Sequence, residues 1–471
     1  MSKQFLLFVL LSFSLSLLCA PAVVHAQWEP DVRLTYNDSA SQTSVNNSWC
    51  VAATGDTVHV VWWDNRDGNW EIFTKRSTNG GTTWGPDLRL TNNSAYSWYP
   101  SVTAFGSNVH VVWEDSRDGN WEIYTKRSTD RGATWGPDIR LTNNSAGSFY
   151  PSVAASGSNV HIVWNDSRDG NPEIYQKRST NGGTTWDPDL RLTNDSAFSR
   201  MPSVAVSGSN VHVVWPDSRD GNGEKIFYKR SSDGGTSWGS DIQLTDSTGG
   251  APLPSVVALG SNVHVVWADG RVGNFEVYTK RSTDGGLTWE PDLRLTNDRS
   301  GSELPSVTAF GSNVHVVWEE SRDGNFEIYT KHSTDWGTTW GPDTRLTNDG
   351  AWSYHPTIAT SELKVHVVWY DTRDGNNEIY YKRNPTGNSG IEENNGFEGS
   401  KVRGIKAIPN PFSSFATVPG HSFDRFTLYG ISGRRVGTYK GDRIGEGLRA
   451  GVYFVRAMNG KAGLARIVKV R

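Results

Sequence analysis

Seven short loops of the sequence each carry an arginine two positions after an acidic residue, in variants of the pattern Asp-Ser-Arg-Asp-Gly-Asn. The arginines are Arg66, Arg117, Arg168, Arg219, Arg271, Arg322 and Arg373. A guanidinium fork donates paired hydrogen bonds, so seven forks on one surface could bind carboxylate or hydroxyl-rich ligands. The alternative is that each arginine pairs with nearby acids and holds its own loop in shape. We favour this pairing, because the feature recurs in every copy, but the arginines remain candidate ligand-binding residues.

The segments that join successive copies vary more, and several carry aromatic residues. The candidates for ligand binding are Trp98, Tyr99, Phe149, Tyr150, Trp352 and Tyr354. Aromatic rings beside Asn and Asp suit the apolar faces and hydroxyl edges of sugars. The alternative, equally open, is that these rings fill the space above neighbouring structural units.

Seven of the 11 histidines occupy one position of the repeat: His59, His110, His161, His212, His264, His315 and His366. Each lies inside an apolar run, so the seven copies cannot converge on one ion, and we expect packed, hydrogen-bonded side chains. The loop acids lack the Asp-x-Asp-x-Asp-Gly spacing of a calcium loop. We therefore expect no metal site and no cofactor, with calcium at the loops as the weaker alternative.

These residues belong to a long internal repeat. Its core, Val-His-Val-Val-Trp or a close variant, ends at Trp62, Trp113, Trp164, Trp215, Trp267, Trp318 and Trp369, which are 51 residues apart with one step of 52. One copy holds four runs rich in Val, Ile, Tyr, Trp and Thr, at 101–104, 109–113, 122–126 and 135–142. Such runs between turn residues predict strands. Four antiparallel strands repeated seven times predict an all-β fold, a seven-bladed β-propeller.

Six octets between the third and fourth strands of the repeat carry a turn motif. They cover residues 77–84, 128–135, 179–186, 231–238, 282–289 and 333–340. They resemble the Asp-box, or BNR, repeat of sialidase-type propellers, Ser-x-Asp-x-Gly-x-Thr-Trp. In this motif Ser and Asp bond the turn's own backbone, Gly takes the left-handed conformation and Trp anchors the turn. The resemblance implies a structural role, on the face opposite the active site.

The seventh copy lacks both the octet and the strand that should follow it. The missing strand is matched by residues 28–35, Trp-Glu-Pro-Asp-Val-Arg-Leu-Thr, near the start of the chain. We therefore predict that this N-terminal strand completes the seventh blade and closes a propeller of residues 27–383.

The sialidase resemblance implies three converging arginines, a Tyr activated by a Glu, and an Asp acid/base. The family's Arg-Ile-Pro element is absent, since Leu34 and Thr35 follow Arg33. Tyr and Glu recur at fixed repeat positions, so no catalytic set is singled out and we assign no catalytic residue. We lean toward a binding protein, with a sialidase-like glycoside hydrolase as the alternative.

Residues 1–26 have Lys3, an apolar run and a small-residue ending, which predict a secretory signal peptide cleaved between Ala26 and Gln27. No later apolar run is long enough for a membrane span. After cleavage only Cys50 remains, so we expect no intramolecular disulfide and a buried thiol.

The C-terminal part differs in composition from the repeats. Residues 384–400 read as a polar linker rich in Gly and Asn, and residues 401–471 alternate apolar and polar residues around Gly turns, a small β-sandwich pattern. The segments Pro-Asn-Pro-Phe, Ser-Gly-Arg and Gly-Val-Tyr-Phe-Val resemble the C-terminal sorting domain of type IX secretion cargo. The resemblance implies a Bacteroidetes-like Gram-negative bacterium, contact with its secretion machinery, and a secreted or outer-surface location. The alternative is an accessory β-domain that stays on the protein.

The net charge of −4 hides an asymmetry. Lys and Arg outnumber Asp and Glu by 14 to three in residues 401–471, so the propeller is acidic, which argues against nucleic acid as a partner. We expect a monomer that binds a glycan or an extracellular protein or matrix ligand. A purely structural protein-assembly ring is the third hypothesis.

Overall fold

The computed structural model describes residues 28–44, 50–221, 223–246, 249–250 and 253–387, and shorter C-terminal stretches at 416–417, 425–430, 435–440, 443–444, 446–449, 451–457 and 465–469. The predicted signal peptide with its cleavage site at Ala26 and Gln27, and residues 388–400 of the predicted linker, lie outside the described residues. The chain forms two compact units, which divide between Ile391 and Glu392.

The first unit is a seven-bladed β-propeller, which confirms the predicted fold. Blade 7 is completed by the first strand, β1 (Val32–Arg33). Blade 1 contains β2 (Ser41–Gln42), β3 (Val51–Thr54), β4 (Thr57–Asp64), β5 (Glu71–Ser77) and β6 (Leu88–Arg89). Blade 2 contains β7 (Ser97–Phe105), β8 (Asn108–Asp115), β9 (Glu122–Ser128) and β10 (Ile139–Arg140). Blade 3 contains β11 (Ser148–Ser156), β12 (Asn159–Asp166), β13 (Glu173–Ser179) and β14 (Leu190–Arg191).

The remaining blades repeat this antiparallel order. Blade 4 contains β15 (Ser203–Ser207), β16 (Asn210–Asp217), β17 (Lys225–Ser231) and β18 (Ile242–Gln243). Blade 5 contains β19 (Ser255–Leu259), β20 (Asn262–Asp269), β21 (Glu276–Ser282) and β22 (Leu293–Arg294). Blade 6 contains β23 (Ser302–Phe310), β24 (Asn313–Glu320), β25 (Glu327–Ser333) and β26 (Thr344–Arg345). Blade 7 contains β27 (Ser353–Ser361), β28 (Lys364–Asp371), β29 (Glu378–Asn384) and β1.

The hydrophobic core lies between blades. The tryptophan near the end of each second strand, such as Trp113, is fully buried. One core cluster joins Cys50, Val61 and Leu90 of blade 1 to Val111 and Trp113 of blade 2. Each blade therefore needs its neighbours to cover its faces, as expected of a repeat architecture.

The fourth strands are shorter than the sequence predicts. In blade 2 the run at 135–142 contains only the two residues of β10. The amide of Gly136 donates to the Arg127 carbonyl oxygen at 2.9 Å, but the next residue, Pro137, has no N–H for the ladder. The proline therefore delays regular pairing until Ile139.

The N-terminal strand closes the ring as predicted. In β1, Val32 lies opposite Tyr381 and Arg33 opposite Tyr380 on β29. The Arg33 guanidinium forms ion pairs with Glu378 at 2.9 Å and Asp374 at 3.0 Å. Closure thus combines backbone pairing with ion pairs to blade 7.

The second unit is a small β-domain. Its described strands are β30 (Ala416–Thr417), β31 (Arg425–Gly430), β32 (Arg435–Lys440), β33 (Arg443–Ile444), β34 (Gly451–Ala457) and β35 (Ala465–Lys469). They form a pair, β30 with β33, and a sheet of order β32-β31-β34-β35. Phe426, Leu428 and Ile444 are buried. Within the described residues of both units, no helix has the length and apolarity needed to cross a bilayer.

Candidate functional site

The propeller has two chemically different faces. One face, here called the hairpin face, bears the hairpins between second and third strands and the links that lead into the next blade. Hairpin and link are tied together, since the Asn120 side-chain amide donates to the Ala146 carbonyl at 2.6 Å. The opposite face bears the Asp-box turns, where the Ser128 hydroxyl accepts the Gly132 amide at 2.8 Å. Asp130 similarly accepts the amide of Thr134 at 2.8 Å.

Each hairpin arginine is held by acids of its own blade, and three of the seven also pair with an acid on the preceding link: Arg219 with Asp195, Arg322 with Asp298 and Arg373 with Asp349. Arg117 donates from Nε and Nη2 to Asp115, at 2.8 and 2.6 Å, and from Nη1 to Asp138 at 2.7 Å. Its guanidinium lies 4.4 Å from the centroid of the Tyr124 ring. Lys126 completes the network through Asp138 at 2.9 Å. The second acid that pairs with the arginine directly precedes the fourth strand and is, in blades 1 to 7, Asp87, Asp138, Asp189, Asp241, Asp292, Asp343 and Asp31.

This network explains the recurrence of the arginines. Burial alone would raise the pKa of Asp115, but hydrogen bonds from Arg117 and Trp113 hold that pKa below its usual value. Each hairpin arginine is therefore paired with nearby acids that hold its loop in shape, as the second of the two interpretations of the sequence predicts. The arginines are Arg66, Arg117, Arg168, Arg219, Arg271, Arg322 and Arg373.

Eight aromatic side chains form a connected group on the hairpin face of blades 1 to 3, here called the first aromatic cluster. Its members are Trp63, Trp70, Tyr96, Trp98, Tyr99, Trp121, Phe149 and Tyr150. Trp98 is central, because it stacks on Trp121 at 4.7 Å and on Tyr96 at 5.4 Å between centroids. Tyr96 is 47% exposed, and the other seven side chains are partly exposed. The cluster thus offers solvent-facing ring surfaces, which can pack against flat apolar faces of a ligand.

A second aromatic cluster occupies the same face of blades 6 and 7. It consists of Phe326, Trp352, Tyr354, His355 and Tyr370. Trp352 is 50% exposed, and its ring lies 5.7 Å from that of Tyr354. The sequence-predicted aromatic residues therefore belong to two clusters: Trp98, Tyr99, Phe149 and Tyr150 lie in the first, and Trp352 and Tyr354 in the second.

Each cluster is built over a buried glutamate. Glu114 accepts the Tyr150 amide at 2.9 Å, and Glu319 accepts the His355 amide at 2.6 Å. Burial raises the pKa of both carboxyls to about 8. Burial, together with the nearby Tyr150 and Glu114, also raises the pKa of Tyr99 to about 12. At neutral pH both glutamates are mainly protonated, so neither cluster carries their negative charge.

The residues whose amides are held in this way have an unusual backbone. Tyr150 has a φ of 55° and His355 a φ of 52°, both in the left-handed region. Each precedes a proline, where the first strand has a register shift. Left-handed backbone at bulky residues is strained and concentrates at functional sites. Here it is repeated in most blades, so the bulge itself is architectural and only the side chain it carries varies.

Nine residues of the two clusters and of the carboxyls beneath them are absent from the sequence-based candidates: Trp63, Trp70, Tyr96, Glu114, Trp121, Glu319, Phe326, His355 and Tyr370. Tyr96 and His355 lie in the links, and the other seven lie at two repeat positions, directly after the second-strand tryptophan or directly after Gly-Asn of the hairpin. The first position reads Trp63, Glu114, Asn165, Pro216, Ala268, Glu319 and Tyr370 in successive blades. The signal was therefore present as variation within an otherwise regular repeat.

The repeated histidines have a structural explanation on the other face. An added Cβ at Gly132 of the blade 2 Asp-box would lie 2.6 Å from the His59 ring of blade 1. His212 and His366 instead contact the hydroxyls of Tyr228 and Tyr381, each at 2.7 Å. Each of these histidines is buried. Within the part of the chain that the structure describes, no group of three or more His, Cys, Asp and Glu side chains is arranged for a metal ion.

Blade 6 shows why position 332 departs from the repeat. In blade 2, Arg127 donates to the Gly182 carbonyl in the Asp-box of blade 3, at 2.7 Å. Blade 7 has no Asp-box, and the equivalent residue of blade 6 is His332, which stacks on His315 at 4.4 Å. The loss of the partner carbonyl thus coincides with the loss of the arginine.

Comparison with known proteins finds distant sequence similarity to a sialidase and a xyloglucanase. No protein-family model matches the chain. It is 22% identical over 259 residues to a sialidase from Clostridium perfringens, covering 54% of this chain and 59% of the sialidase. It is 24% identical over 361 residues to a xyloglucanase from Acetivibrio thermocellus, covering 64% of this chain and 39% of that enzyme. The chain therefore spans less than two thirds of the length of either relative.

Solved structures share the fold. An ulvan lyase of polysaccharide lyase family PL25, bound to -[GlcA(1-4)Rha3S]-, superposes with a TM-score of 0.52 at 11% identity, covering 75% of this chain and 95% of that one. The polysaccharide lyase Uly1 superposes with a TM-score of 0.51 at 8% identity, covering 76% of this chain and all of that one. At these identities the likeness concerns the fold alone.

Proposed function

We propose that the chain is an exported propeller that binds uncharged glycans through the aromatic clusters of its hairpin face. The first aromatic cluster carries the proposal, because its stacked, partly exposed rings match the apolar faces of sugar rings. The similarity to a sialidase and a xyloglucanase supports a glycan over a protein ligand.

An uncharged ligand follows from the charges of this face. A carboxylated or sulfated sugar needs a cation that is free to bind it. In the described blades 1 and 2, both hairpin arginines, Arg66 and Arg117, already hold two acids each. The buried Glu114 is mainly protonated at neutral pH, so it adds no negative charge beneath the first aromatic cluster.

A glycan array probed with the full chain tests this function. We expect binding to neutral polysaccharides, at least tenfold weaker for Trp98→Ala, and no selective binding to sialosides. Phe198→Ala is the matched control, since Phe198 is 55% exposed on a link of the same face and belongs to neither cluster. A blank array, or equal binding by the Trp98→Ala chain, would remove the glycan proposal and favour a protein ligand.

A glycoside hydrolase is the second candidate, favoured by the sialidase similarity and by the proximity of Tyr99 and Tyr150 to Glu114. A tyrosine nucleophile needs a lowered pKa, whereas the pKa of Tyr99 is raised to about 12. We therefore expect no release of sialic acid or reducing sugar from substrates that bind. Product release that is lost in the Tyr99→Phe or Tyr150→Phe chain would establish the hydrolase instead.

Export is part of the proposal. We propose that residues 1–26 are removed during secretion and that residues 401–471 guide the chain to the surface of a Gram-negative bacterium. N-terminal sequencing of the exported protein should begin at Gln27. Deletion of residues 401–471 should leave the protein inside the cell envelope, and normal surface delivery of this deletion would refute the sorting role.

A further inference from the structure

The two aromatic clusters are built from the same repeat positions. In each, a ring after Gly-Asn of the hairpin meets a ring of the following link, Trp121 with Phe149 and Phe326 with Trp352 and Tyr354. In each, a glutamate after the second-strand tryptophan holds the amide of a left-handed residue. Chemically similar surfaces of this kind suit the same ligand unit, presented twice.

The clusters also lie on consecutive blades. The first occupies blades 1 to 3 and the second blades 6 and 7, so together they cover five neighbouring blades of the closed ring. Blade 7 and blade 1 are joined on this side by the Thr43 hydroxyl, which donates to the His355 carbonyl at 2.9 Å. We call the two clusters together the aromatic arc.

Among the described residues, blades 4 and 5 on the opposite side of the same face carry fewer rings. At the position directly after Gly-Asn, blade 4 has Gly223, although blade 5 has Phe275. At the position after the second-strand tryptophan, blade 4 has Pro216 and blade 5 has Ala268. The asymmetry gives the face a preferred path along the arc, although the blades are otherwise near copies.

We infer that the aromatic arc is one extended site, which binds a single polysaccharide chain along several blades, with repeated sugar units on the two clusters. The inference rests on the proposed glycan-binding function and specifies its ligand as a polymer rather than a terminal sugar. Two linked weak contacts raise affinity by effective concentration, typically by a factor of 10² to 10⁴, when the ligand spans both. Short fragments can occupy only one cluster at a time.

Binding of the full chain to xyloglucan fragments of increasing length, and to the intact polymer, tests this inference by calorimetry. We expect affinity to rise at least tenfold once a fragment reaches both clusters, with two short fragments or one long fragment bound per chain. Trp98→Ala and Trp352→Ala should each abolish the length-dependent gain while leaving one short-fragment site. The Phe198→Ala chain should keep both the gain and the stoichiometry.

The outcomes separate this inference from the proposed function. Equal affinity for short and long fragments, or an unchanged length dependence in Trp352→Ala, would overturn the extended site while glycan binding at the first cluster stands. If the polymer and all fragments fail to bind, and the glycan array is also blank, the proposed function fails and the extended site with it. Circular dichroism and thermal melting of each variant would identify a loss of binding that is caused by misfolding. Trp98→Phe and Trp352→Phe keep an aromatic ring, so these variants should retain the length-dependent gain in affinity.

Discussion

Glu114 illustrates how one repeat position can serve both architecture and ligand binding. In blade 3 the same position is Asn165, whose side-chain oxygen accepts the Met201 amide at 3.2 Å. An uncharged side-chain oxygen is therefore enough to accept the backbone amide at this position. The protonated Glu114, which is also uncharged at neutral pH, fills the same role in blade 2.

Replacing Glu114 by glutamine should stabilise the propeller at alkaline pH. Burial raises the folded-state pKa of Glu114 to about 8 from 4.5, so between these values the folded state holds a proton that the unfolded state has lost. Stability from this group consequently falls as pH rises through that window. We expect Glu114→Gln to melt higher than the wild type at pH 8, by the equivalent of about 1–3 kcal/mol, with the difference shrinking toward pH 5. A difference independent of pH would contradict the assignment of a protonated Glu114.

The Asp-box glycines provide a matched pair of substitutions. Gly285 and Gly286 both have left-handed backbone, with φ of 75° and 82°. An added Cβ at Gly286 would lie 1.8 Å from the Tyr228 hydroxyl oxygen, whereas at Gly285 the nearest atom is 3.7 Å away. We expect Gly285→Ala to cost about 1 kcal/mol through backbone strain, and Gly286→Ala about 1–3 kcal/mol more through overpacking. Thermal melting of both variants checks this, and equal losses would show that Tyr228 moves aside freely.

At the scale of elements, the closing strand differs from its six counterparts because no turn connects it to blade 7. Arg33 of β1 and Arg191 of β14 occupy the same repeat position, and each pairs with a fully buried glutamate, Glu378 at 2.9 Å or Glu173 at 2.8 Å. Each partner would be left unpaired by truncation, which is costly for a buried charge.

We expect Arg33→Ala to open the ring locally, whereas Arg191→Ala should destabilise blade 3 without detaching β14. Hydrogen exchange should therefore accelerate at β29 in Arg33→Ala far more than at β13 in Arg191→Ala. The reason is that β14 is joined to β13 by the Asp-box turn, whereas no turn joins β1 to β29. Equal acceleration at both strands would contradict this difference.

The repeat allowed most elements to be predicted from sequence, since strand-forming residues and turn signals recur seven times. The spacing of the seven tryptophans and the lone strand at residues 28–35 were sufficient for the number of blades and for their closure. The short fourth strands were missed, because Trp and Thr favour strands whereas Pro137 removes an amide from the ladder. The aromatic clusters were predicted only in part, since the proximity of Trp63 or Trp121 to Trp98 depends on the way neighbouring blades meet.

At the scale of the whole molecule, the seven repeated histidines couple stability to pH. Burial lowers the pKa of five of them to about 4, and that of His315 and His366 to about 3. Below the unfolded pKa of 6.5 the unfolded chain therefore binds protons that the folded ring does not. Each such histidine lowers stability by up to about 1.4 kcal/mol per pH unit between pH 6.5 and its folded pKa.

We expect the melting temperature to fall steeply and cooperatively from pH 6.5 toward pH 4. Glu114 and Glu319 have raised pKa values, so they stabilise the folded ring as pH falls over part of this range. Their effect is outweighed, because two glutamates oppose seven histidines. Calorimetry across this range checks the prediction. A melting temperature that stays constant or rises from pH 6.5 to pH 5 would mean that the histidines are protonated in the folded ring.

Whether the first aromatic cluster binds glycans is decided by the affinity of the full chain for a neutral polysaccharide, compared with the affinities of its Trp98→Ala and Phe198→Ala variants. We predict that the wild type and Phe198→Ala bind alike, that Trp98→Ala remains folded but binds at least tenfold more weakly, and that sialosides do not compete. Equal binding by all three chains, or binding that sialosides abolish, would contradict a glycan site built on the aromatic cluster.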